Sequence, residues 1–320
     1  ANSNGNHHMR SNYPKSNNVI FFPKLLRGAG YYCTNNAKED YNTQNAEGVW
    51  DMSSTSAHYK NRKKGQPFFH VQNIFESHEL SVHNYTPDSL LNHIPNAINL
   101  PPYHPDTKDI RHDWAQYYDK ISNMDSIVGS ILNELEENGL AESTIVMYYS
   151  DHGGVLPRSK RFLYETGTRI PLIVRIPQKY AHLRPSEPDS PVERLVSTVD
   201  LAPTLLQIAG LDKPDYMQGY SFLGSHLKKQ DYVYMFRGRM DERYDMSRAV
   251  RDSKFRYIRN FTPYRIYGQH LNYLWRSASM KSWENTCKEG NCNDMQMAFW
   301  RPKPFEELYD TENDPWEVEN

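Results

Sequence analysis

Short apolar runs punctuate the first two-thirds of the chain and predict strands. The run PFFHVQNIF at 67–75 is rich in β-formers and is predicted to be a buried strand. The runs IVMYY at 145–149 and IPLIVRIP at 170–177 are continuously apolar, which is typical of strands covered on both faces. We therefore expect three core strands in this part of the chain.

Two further segments carry the spacing of amphipathic helices. Apolar residues recur at helical intervals from Trp114 to Glu137, and Gly139 follows where such a helix ends. The segment STVDLAPTLLQIAG predicts a second helix, with Ser197 or Thr198 as its N-terminal cap and Gly210 as its end.

The order of these elements predicts the fold class. Strands that alternate with helices indicate an α/β fold with a mixed, mainly parallel sheet flanked by helices. From about Gln230 the pattern changes to short antiparallel strands, in DYVYMFRGRM and SRAVRDSKFRYIRNF. We predict a core domain at 1–228 and a smaller C-terminal α+β subdomain with an antiparallel sheet at 229–320.

Composition excludes some functions. The 320 residues carry a formal net charge of −2, without the strongly basic face that nucleic-acid binding needs. No apolar run approaches the ~20 residues that span a membrane. Of the three cysteines, Cys287 and Cys292 are close enough in sequence for a small disulfide loop, which would fit an oxidising compartment. Two incidental thiols explain the same spacing.

The motif DHGG is the strongest local signal for chemistry. Asp151 and His152 follow a predicted strand, where α/β sheets place ligand sites, and can give one oxygen and one nitrogen to a divalent cation. A tight turn with an exposed His is the structural alternative. Lys160 follows in the same loop and is placed to hold an anion, although a lone Lys is usually a solvated surface residue.

The combination of DHGG, Lys160 and YETGTRIP resembles the sulfatase family of the alkaline phosphatase superfamily. The resemblance implies an alkaline phosphatase-like fold in which Asp151 and His152 bind the metal and Lys160 grips the substrate sulfate. Relatives mostly use Ca²⁺, which we expect here. A His at position 152, where others carry Asn, leaves Mn²⁺ open.

Two more segments are similar to the family in the same order. LLRGAGYYCTNNAKEDYN implies that Lys38 is catalytic, and PFFHVQNIFESHEL implies that His78 contacts the sulfate. Many relatives carry a His two positions after this Lys; Asp40 stands there, so that role is not transferred. A His at a strand end without any role is the alternative for His78.

Polar and charged residues in two other segments are candidates for the carbohydrate side of the pocket. HHMRS resembles a rim segment of the family, and MFRGRMDERYDMSR could bind a uronate, a second sulfate or sugar hydroxyls. A polar terminus and a salt-bridged hairpin are the respective alternatives. The candidates are His7, His8, Arg10, Arg237, Arg239, Asp241 and Glu242.

The family nucleophile is a formylglycine made from Cys or Ser in Cys/Ser-x-Pro/Ala-x-Arg. We assign no segment to this motif, since Cys33 in YYCTNNA does not fit it. The early Asp-Asp pair that completes the metal site is not found either. We expect both upstream of Ala1, in a protein of which this chain is a fragment cut at both ends.

The resemblance implies a sulfatase that hydrolyses sulfate esters or N-sulfate of a sulfated oligo- or polysaccharide. It implies a formylglycine-generating maturation enzyme as a partner, a secreted, periplasmic or lysosomal location, and no activity in the isolated fragment. One alternative is a phosphodiesterase or phosphonate hydrolase of the same superfamily. Another is a non-catalytic protein that binds sulfated glycans.

Overall fold

The computed structural model describes residues 8–9, 11–44, 46–224 and 227–320. The chain divides into two compact units, each made of two stretches of sequence. The first unit is Ala1–Asn73 with Tyr180–Asp231, and the second is Ile74–Lys179 with Tyr232–Asn320. The division into domains at 1–228 and 229–320 stays a prediction.

The strands are short and form several small sheets. In chain order the described strands are β1 (Tyr13–Pro14), β2 (Tyr32–Asn36), β3 (Thr43–Gln44), β4 (Met52–Ser53), β5 (Phe68–Gln72), β6 (Val146–Tyr149), β7 (Leu172–Arg175), β8 (Val233–Arg237), β9 (Ser247–Arg251), β10 (Phe255–Asn260) and β11 (Glu306–Asp310).

The helices differ widely in length. In chain order the described α-helices are α1 (Phe22–Gly28), α2 (Leu80–His83), α3 (Lys108–Glu137), α4 (Glu165–Thr168), α5 (Leu201–Ile208), α6 (Ala278–Lys288) and α7 (Asp294–Met297). Short 3-10 segments are Tyr59–Asn61, Asp88–Leu90, Pro95–Ala97, Ala141–Ser143, Gln178–Leu183, Thr198–Asp200, Leu274–Arg276 and Ala298–Trp300.

The first unit is built on a parallel sheet with the strand order β4-β2-β5. Its core contains Leu26 of α1, Cys33 of β2 and Leu206 of α5, all at most 2% exposed. The predicted helix at 197–210 is confirmed, and the predicted strand at 67–75 forms as β5. The expected burial of this strand is wrong, since residues 68–71 are half-buried and Phe75 is 53% exposed. Ser197 forms a capping box with Asp200, which satisfies backbone N–H groups at the start of this helix.

The long helix α3 lies in the second unit and begins at Lys108, before the predicted start at Trp114. Thr107 explains the difference, because its hydroxyl accepts a hydrogen bond from the N–H of Ile110 at 3.3 Å and caps the helix. The first turns of the helix contain many polar residues, so the apolar pattern did not indicate this start. The helix ends at Glu137, and Gly139 has a φ of 66°, as the predicted stop requires.

Strands β6 and β7 pair antiparallel in the second unit. The two runs are strands as predicted, but the expectation that they are covered on both faces is wrong for the described structure. Tyr149 is 43% exposed and Ile173 is 64% exposed. A two-stranded antiparallel pair commonly packs one face and leaves the other in solvent, and an apolar run does not reveal which case holds.

The C-terminal strands form an antiparallel sheet with the order β11-β10-β9-β8. The antiparallel character predicted for this part is confirmed, and with the parallel sheet it makes the α/β fold a mixed one. A core of buried aromatic and aliphatic side chains lies in this unit, including Ile258, Met280 and Trp283. Cys287 and Cys292 form a disulfide at the end of α6. None of the described helices is long and apolar enough to cross a membrane.

Candidate functional site

A loop follows strand β6 and carries the DHGG motif. The hydroxyl of Ser150 donates to the carbonyl of His152 at 2.7 Å. The N–H groups of Gly153 and Gly154 donate to the carbonyls of Gly167 at 2.9 Å and Thr166 at 2.8 Å, which fastens the loop to α4. A Cβ on Gly153 would lie 2.2 Å from the Thr166 oxygen, so only glycine allows this approach.

His152 is held in the form that a metal ligand requires. Its Nδ1 lies 2.8 Å from the carbonyl of Gly153; because a carbonyl only accepts, Nδ1 carries the proton and Nε2 carries the lone pair. Burial lowers the pKa of His152, an effect that Asp151 opposes and Lys160 reinforces. Nε2 lies 3.5 Å from Oδ1 of Asp151, so an oxygen and a nitrogen can share one cation.

The metal set is not complete within the described residues. Among them, no group of three or more His, Cys, Asp and Glu side chains is arranged to hold a metal ion. The tautomer of His152 and its 3.5 Å distance from Asp151 fit two ligands of a divalent cation. Ligands beyond these two are not found in the part of the chain that the structure describes.

Lys160 lies in the loop that continues from the two glycines. Its N–H donates to the carbonyl of Gly154 at 2.8 Å, which ties Lys160 to the DHGG turn. Its ammonium lies 3.3 Å from Oε2 of Glu79, and its side chain keeps 22% of its surface exposed. The ammonium is close enough to His152 to help lower its pKa, and the sulfate contact that the resemblance implies for Lys160 stays a prediction.

Arg161 joins three segments of the second unit. Its guanidinium contacts Oε1 of Glu79 at 2.9 Å and Oδ2 of Asp241 at 3.1 Å. The backbone of Arg161 has a φ of 83°, a left-handed conformation that a side chain rarely adopts. The side chain is 4% exposed, so this residue acts inside the protein and not at its surface.

His78 follows strand β5 and is held by backbone groups. The N–H of Leu80 donates to Nδ1 of His78 at 3.2 Å. Nδ1 is therefore the acceptor in the neutral ring, and Nε2 carries the proton. This is the tautomer that can donate a hydrogen bond from Nε2 to a sulfate or leaving-group oxygen, the role that the resemblance implies. That role stays a prediction.

The candidates of the first unit are described separately. Lys38 follows strand β2, and Asn35 donates from its amide to the Lys38 carbonyl at 2.9 Å. His8 accepts at its carbonyl from the Asn42 amide at 2.7 Å. His7 and Arg10 lie outside the described residues. Their predicted roles remain predictions.

Arg237 does not occupy the position predicted for it. It is 2% exposed, its Nε lies 3.0 Å from Oδ2 of Asp245, and it also donates to the carbonyl of Arg161. Its guanidinium lies 4.6 Å from the ring centre of Phe162. A guanidinium so enclosed does not fit the expected contact with a uronate or second sulfate, because it is buried and paired with Asp245.

The rest of the hairpin segment is partly internal and partly exposed. Arg239 donates to the carbonyl of Asp241 at 3.4 Å, and Asp241 pairs with Arg161. Glu242 is exposed and accepts from the N–H of Asn272 at 2.6 Å. The salt-bridged alternative thus describes Asp241 well, and substrate contact by Arg239, Asp241 and Glu242 stays a prediction.

Two groups of residues near or resembling the site are not evident from the sequence pattern. Glu79 and Arg161 were not selected, although each is the immediate neighbour of a candidate, and this adjacency was the available signal. SRAVR at Ser247–Arg251 also matches the letters Ser-x-Ala-x-Arg. Ser247 lies in β9, is 1% exposed and donates to Oδ1 of Asn260 at 2.7 Å, so it is not presented as a nucleophile.

Comparison with known proteins assigns the chain to a family. The sulfatase family model matches residues 2–211, and the model described as N-sulphoglucosamine sulphohydrolase, C-terminal, matches residues 157–270. The chain is 38% identical over 339 aligned residues to an ulvan-active sulfatase of Formosa agariphila, covering 95% of this chain and 56% of that protein. The chain thus spans about half the length of the curated relatives it matches.

Solved structures agree on the fold. A structure described as a 2-O GAG sulfatase has a TM-score of 0.63 at 18% identity, covering 98% of this chain and 73% of that one. The phosphonate monoester hydrolase of Agrobacterium radiobacter has a TM-score of 0.62 at 14% identity, covering 96% and 77%. These likenesses show the alkaline phosphatase-like α/β fold, and with the family match they confirm the resemblance drawn from the motifs: this chain belongs to the sulfatase family.

Proposed function

We propose that this chain is the metal- and sulfate-binding part of a hydrolase that removes sulfate from a sulfated oligo- or polysaccharide. One observation carries the proposal. In the loop after β6, His152 donates from Nδ1 to a carbonyl, its Nε2 lies 3.5 Å from Oδ1 of Asp151, and Lys160 belongs to the same loop, which supports two metal ligands beside an anion-binding cation. The relative described as ulvan-active and the structure described as a 2-O GAG sulfatase support a sulfated polysaccharide as the substrate class.

The chain's own residues would divide the work on the sulfate group. A divalent cation bound by Asp151 and His152, with Ca²⁺ expected and Mn²⁺ open, would supply Lewis acidity. Lys160 and, by resemblance, Lys38 would place positive charge beside the sulfate oxygens, where negative charge is stabilised. His78 would donate from Nε2 to the sulfate or to the leaving sugar oxygen, or give the latter a proton.

The nucleophile is a separate part of the proposal. We assign it to a formylglycine that precedes Ala1 in the full-length protein and is made by a maturation enzyme. Ser247 is buried in β9 and Cys33 is fully buried, so neither is presented to a substrate. The Cys287–Cys292 disulfide supports an oxidising location, such as a secreted, periplasmic or lysosomal one.

The test compares sulfated and phosphorylated substrates on the endogenous protein. Its intact mass and N-terminal peptide map would show whether a formylglycine peptide precedes Ala1. We expect release of sulfate from sulfated oligosaccharides, and about a hundredfold loss of this rate in Lys160→Ala. Lys288→Ala, which alters an exposed Lys on α6, should keep the rate.

Three results would overturn the proposal. Preferential cleavage of a phosphonate or phosphate ester would assign the site to the other hydrolases of this fold. Binding of sulfated glycan without release of sulfate by the full-length protein would assign it to a non-catalytic protein. The absence of formylglycine from the endogenous protein would contradict the nucleophile assigned here.

A further inference from the structure

A buried carboxylate lies against both cations of the Lys160–Arg161 pair. Glu79 is the residue after His78 and is 1% exposed. Its Oε1 accepts from Arg161 at 2.9 Å, and its Oε2 lies 3.3 Å from the ammonium of Lys160. Among the described residues Oε2 has no hydrogen-bond partner, so the ion pair with Lys160 is its principal polar contact there. One carboxylate thus fixes two adjacent basic side chains.

The arrangement is specific because a buried charge requires its partners. An ionised carboxylate without solvent is stable only when cations and donors compensate it, so Glu79, Lys160 and Arg161 constrain one another. The left-handed backbone at Arg161 also indicates that its surroundings fix this residue. A residue keeps this strained conformation only where its surroundings determine it, and here two carboxylates do so.

The network links segments that each carry a predicted substrate residue. Glu79 follows His78, Arg161 follows Lys160, and Asp241 belongs to the predicted carbohydrate side. Because Arg161 contacts both Glu79 and Asp241, the three segments hold a fixed arrangement within the second unit. Loss of the Arg161 side chain would remove the contact with Glu79 and the contact with Asp241 together.

We propose that Glu79 is a positioning residue that sets the place of the Lys160 ammonium, and through Arg161 that of Asp241. The proposal rests on the proposed function, in which Lys160 grips the sulfate. Glu79 acts through Lys160 and does not itself touch the substrate. A negative charge beside the sulfate would repel it, so Glu79 helps binding only through the position it gives to Lys160. A test must therefore separate the length of the residue 79 side chain from its charge.

Glu79→Asp makes that separation in the full-length, metal-loaded protein. Aspartate keeps the charge but is one methylene shorter, so it cannot reach both Lys160 and Arg161. Glu307→Asp is the matched control. Glu307 is 2% exposed and accepts from Tyr164 at 3.1 Å and Asn260 at 2.6 Å, without contact to either basic residue. Both variants carry the same chemical change at equally buried positions.

Two readouts are measured on each variant: the affinity for inorganic sulfate by calorimetry, and the rate at which an amine-acylating reagent modifies Lys160, followed by mass spectrometry. In Glu79→Asp we expect sulfate affinity to fall by about tenfold, the size of one displaced charge-assisted contact. Acylation of Lys160 should become faster, because the amine is no longer held against the carboxylate. Glu307→Asp should change neither readout.

Each outcome decides something. Unchanged sulfate affinity and unchanged Lys160 acylation in Glu79→Asp would overturn the proposal, as would equal changes in Glu307→Asp. A full-length wild-type protein that does not bind sulfate would contradict the proposed function, whereas faster acylation of Lys160 in Glu79→Asp would still support positioning by Glu79. Should Glu79→Asp fail to fold, Glu79→Gln keeps the length without the charge and must also speed acylation.

Discussion

At the scale of single residues, two of the candidate histidines, His78 and His152, are fixed as opposite tautomers. His78 accepts at Nδ1 from the Leu80 N–H, so its Nε2 carries the proton. His152 donates from Nδ1 to the Gly153 carbonyl, so its Nε2 carries the lone pair. Each form suits the task predicted for it, donation to an oxygen in one case and metal ligation in the other. Backbone geometry makes this choice, and sequence does not reveal it.

The two adjacent glycines of the DHGG motif should differ sharply in their tolerance of a side chain. A Cβ on Gly153 would lie 2.2 Å from the Thr166 oxygen, whereas one on Gly154 would come no closer than 3.4 Å, to the Ser159 hydroxyl. We expect Gly153→Ala to lower the free energy of unfolding by about 2 kcal/mol, as forced overpacking does. Urea unfolding measures this loss, and Gly154→Ala is the control. Equal stability of the two variants would contradict the packing described for this loop.

At the scale of elements, the largest difference from the sequence-based expectation is the start of α3. The helix begins at Lys108 because Thr107 caps it, and the Thr107 hydroxyl also bonds that of Ser282 on α6 at 2.8 Å. A capping residue can be recognised locally, but it marks a helix start only if its side chain accepts a hydrogen bond from a backbone N–H of the first turn. The apolar period therefore located the body of the helix and missed its first turns.

Removing this cap should have a measurable cost. Thr107→Ala deletes the acceptor for the Ile110 N–H and the bond to Ser282, and we expect a loss of about 1 kcal/mol in the free energy of unfolding. Ser126→Ala is the control, since Ser126 is exposed on the same helix and donates only to a carbonyl of the preceding turn. A midpoint of thermal unfolding for Thr107→Ala that equals or exceeds that of Ser126→Ala would refute the capping role.

At the scale of the molecule, the aromatic core of the second unit contains a neutral histidine. His104 is 3% exposed and accepts at Nδ1 from the Trp114 indole at 3.1 Å. Burial lowers the pKa of His104 from 6.5 to about 3, an effect to which Arg158 adds. Between about pH 3 and pH 6.5, His104 therefore stays neutral in the folded protein, whereas it binds a proton in the unfolded chain.

This difference gives stability a pH dependence of known sign. The contribution of His104 is fully present above pH 6.5 and is lost as the pH falls toward 3, because the unfolded state then binds more protons. Between pH 7 and pH 5 we expect the wild type to lose about 2 kcal/mol more than His104→Asn. Urea unfolding at the two pH values gives both slopes, and parallel slopes would show that His104 is not buried in its neutral form.

Much of the local structure was predictable from the sequence. The strand before the DHGG turn, the helix at 197–210 and the antiparallel C-terminal strands follow from apolar period and turn residues, which act over a few neighbours. The motifs around Asp151 and Lys160 carried the family assignment, because a close backbone approach such as that of Gly153 to Thr166 requires a particular residue. These features were settled by the sequence alone.

The tertiary structure decided which charged residues face solvent and which are internal. Arg237 was expected at the pocket and lies buried in an ion pair with Asp245. Glu79 and Arg161 were not among the candidates, yet Glu79 forms ion pairs with both Lys160 and Arg161. The exposed faces of Tyr149 and Ile173 were also not predictable. The physical reason is the same in each case: burial and ion pairing depend on partners far away in the chain, such as Glu79 and Arg161, and no local pattern specifies them.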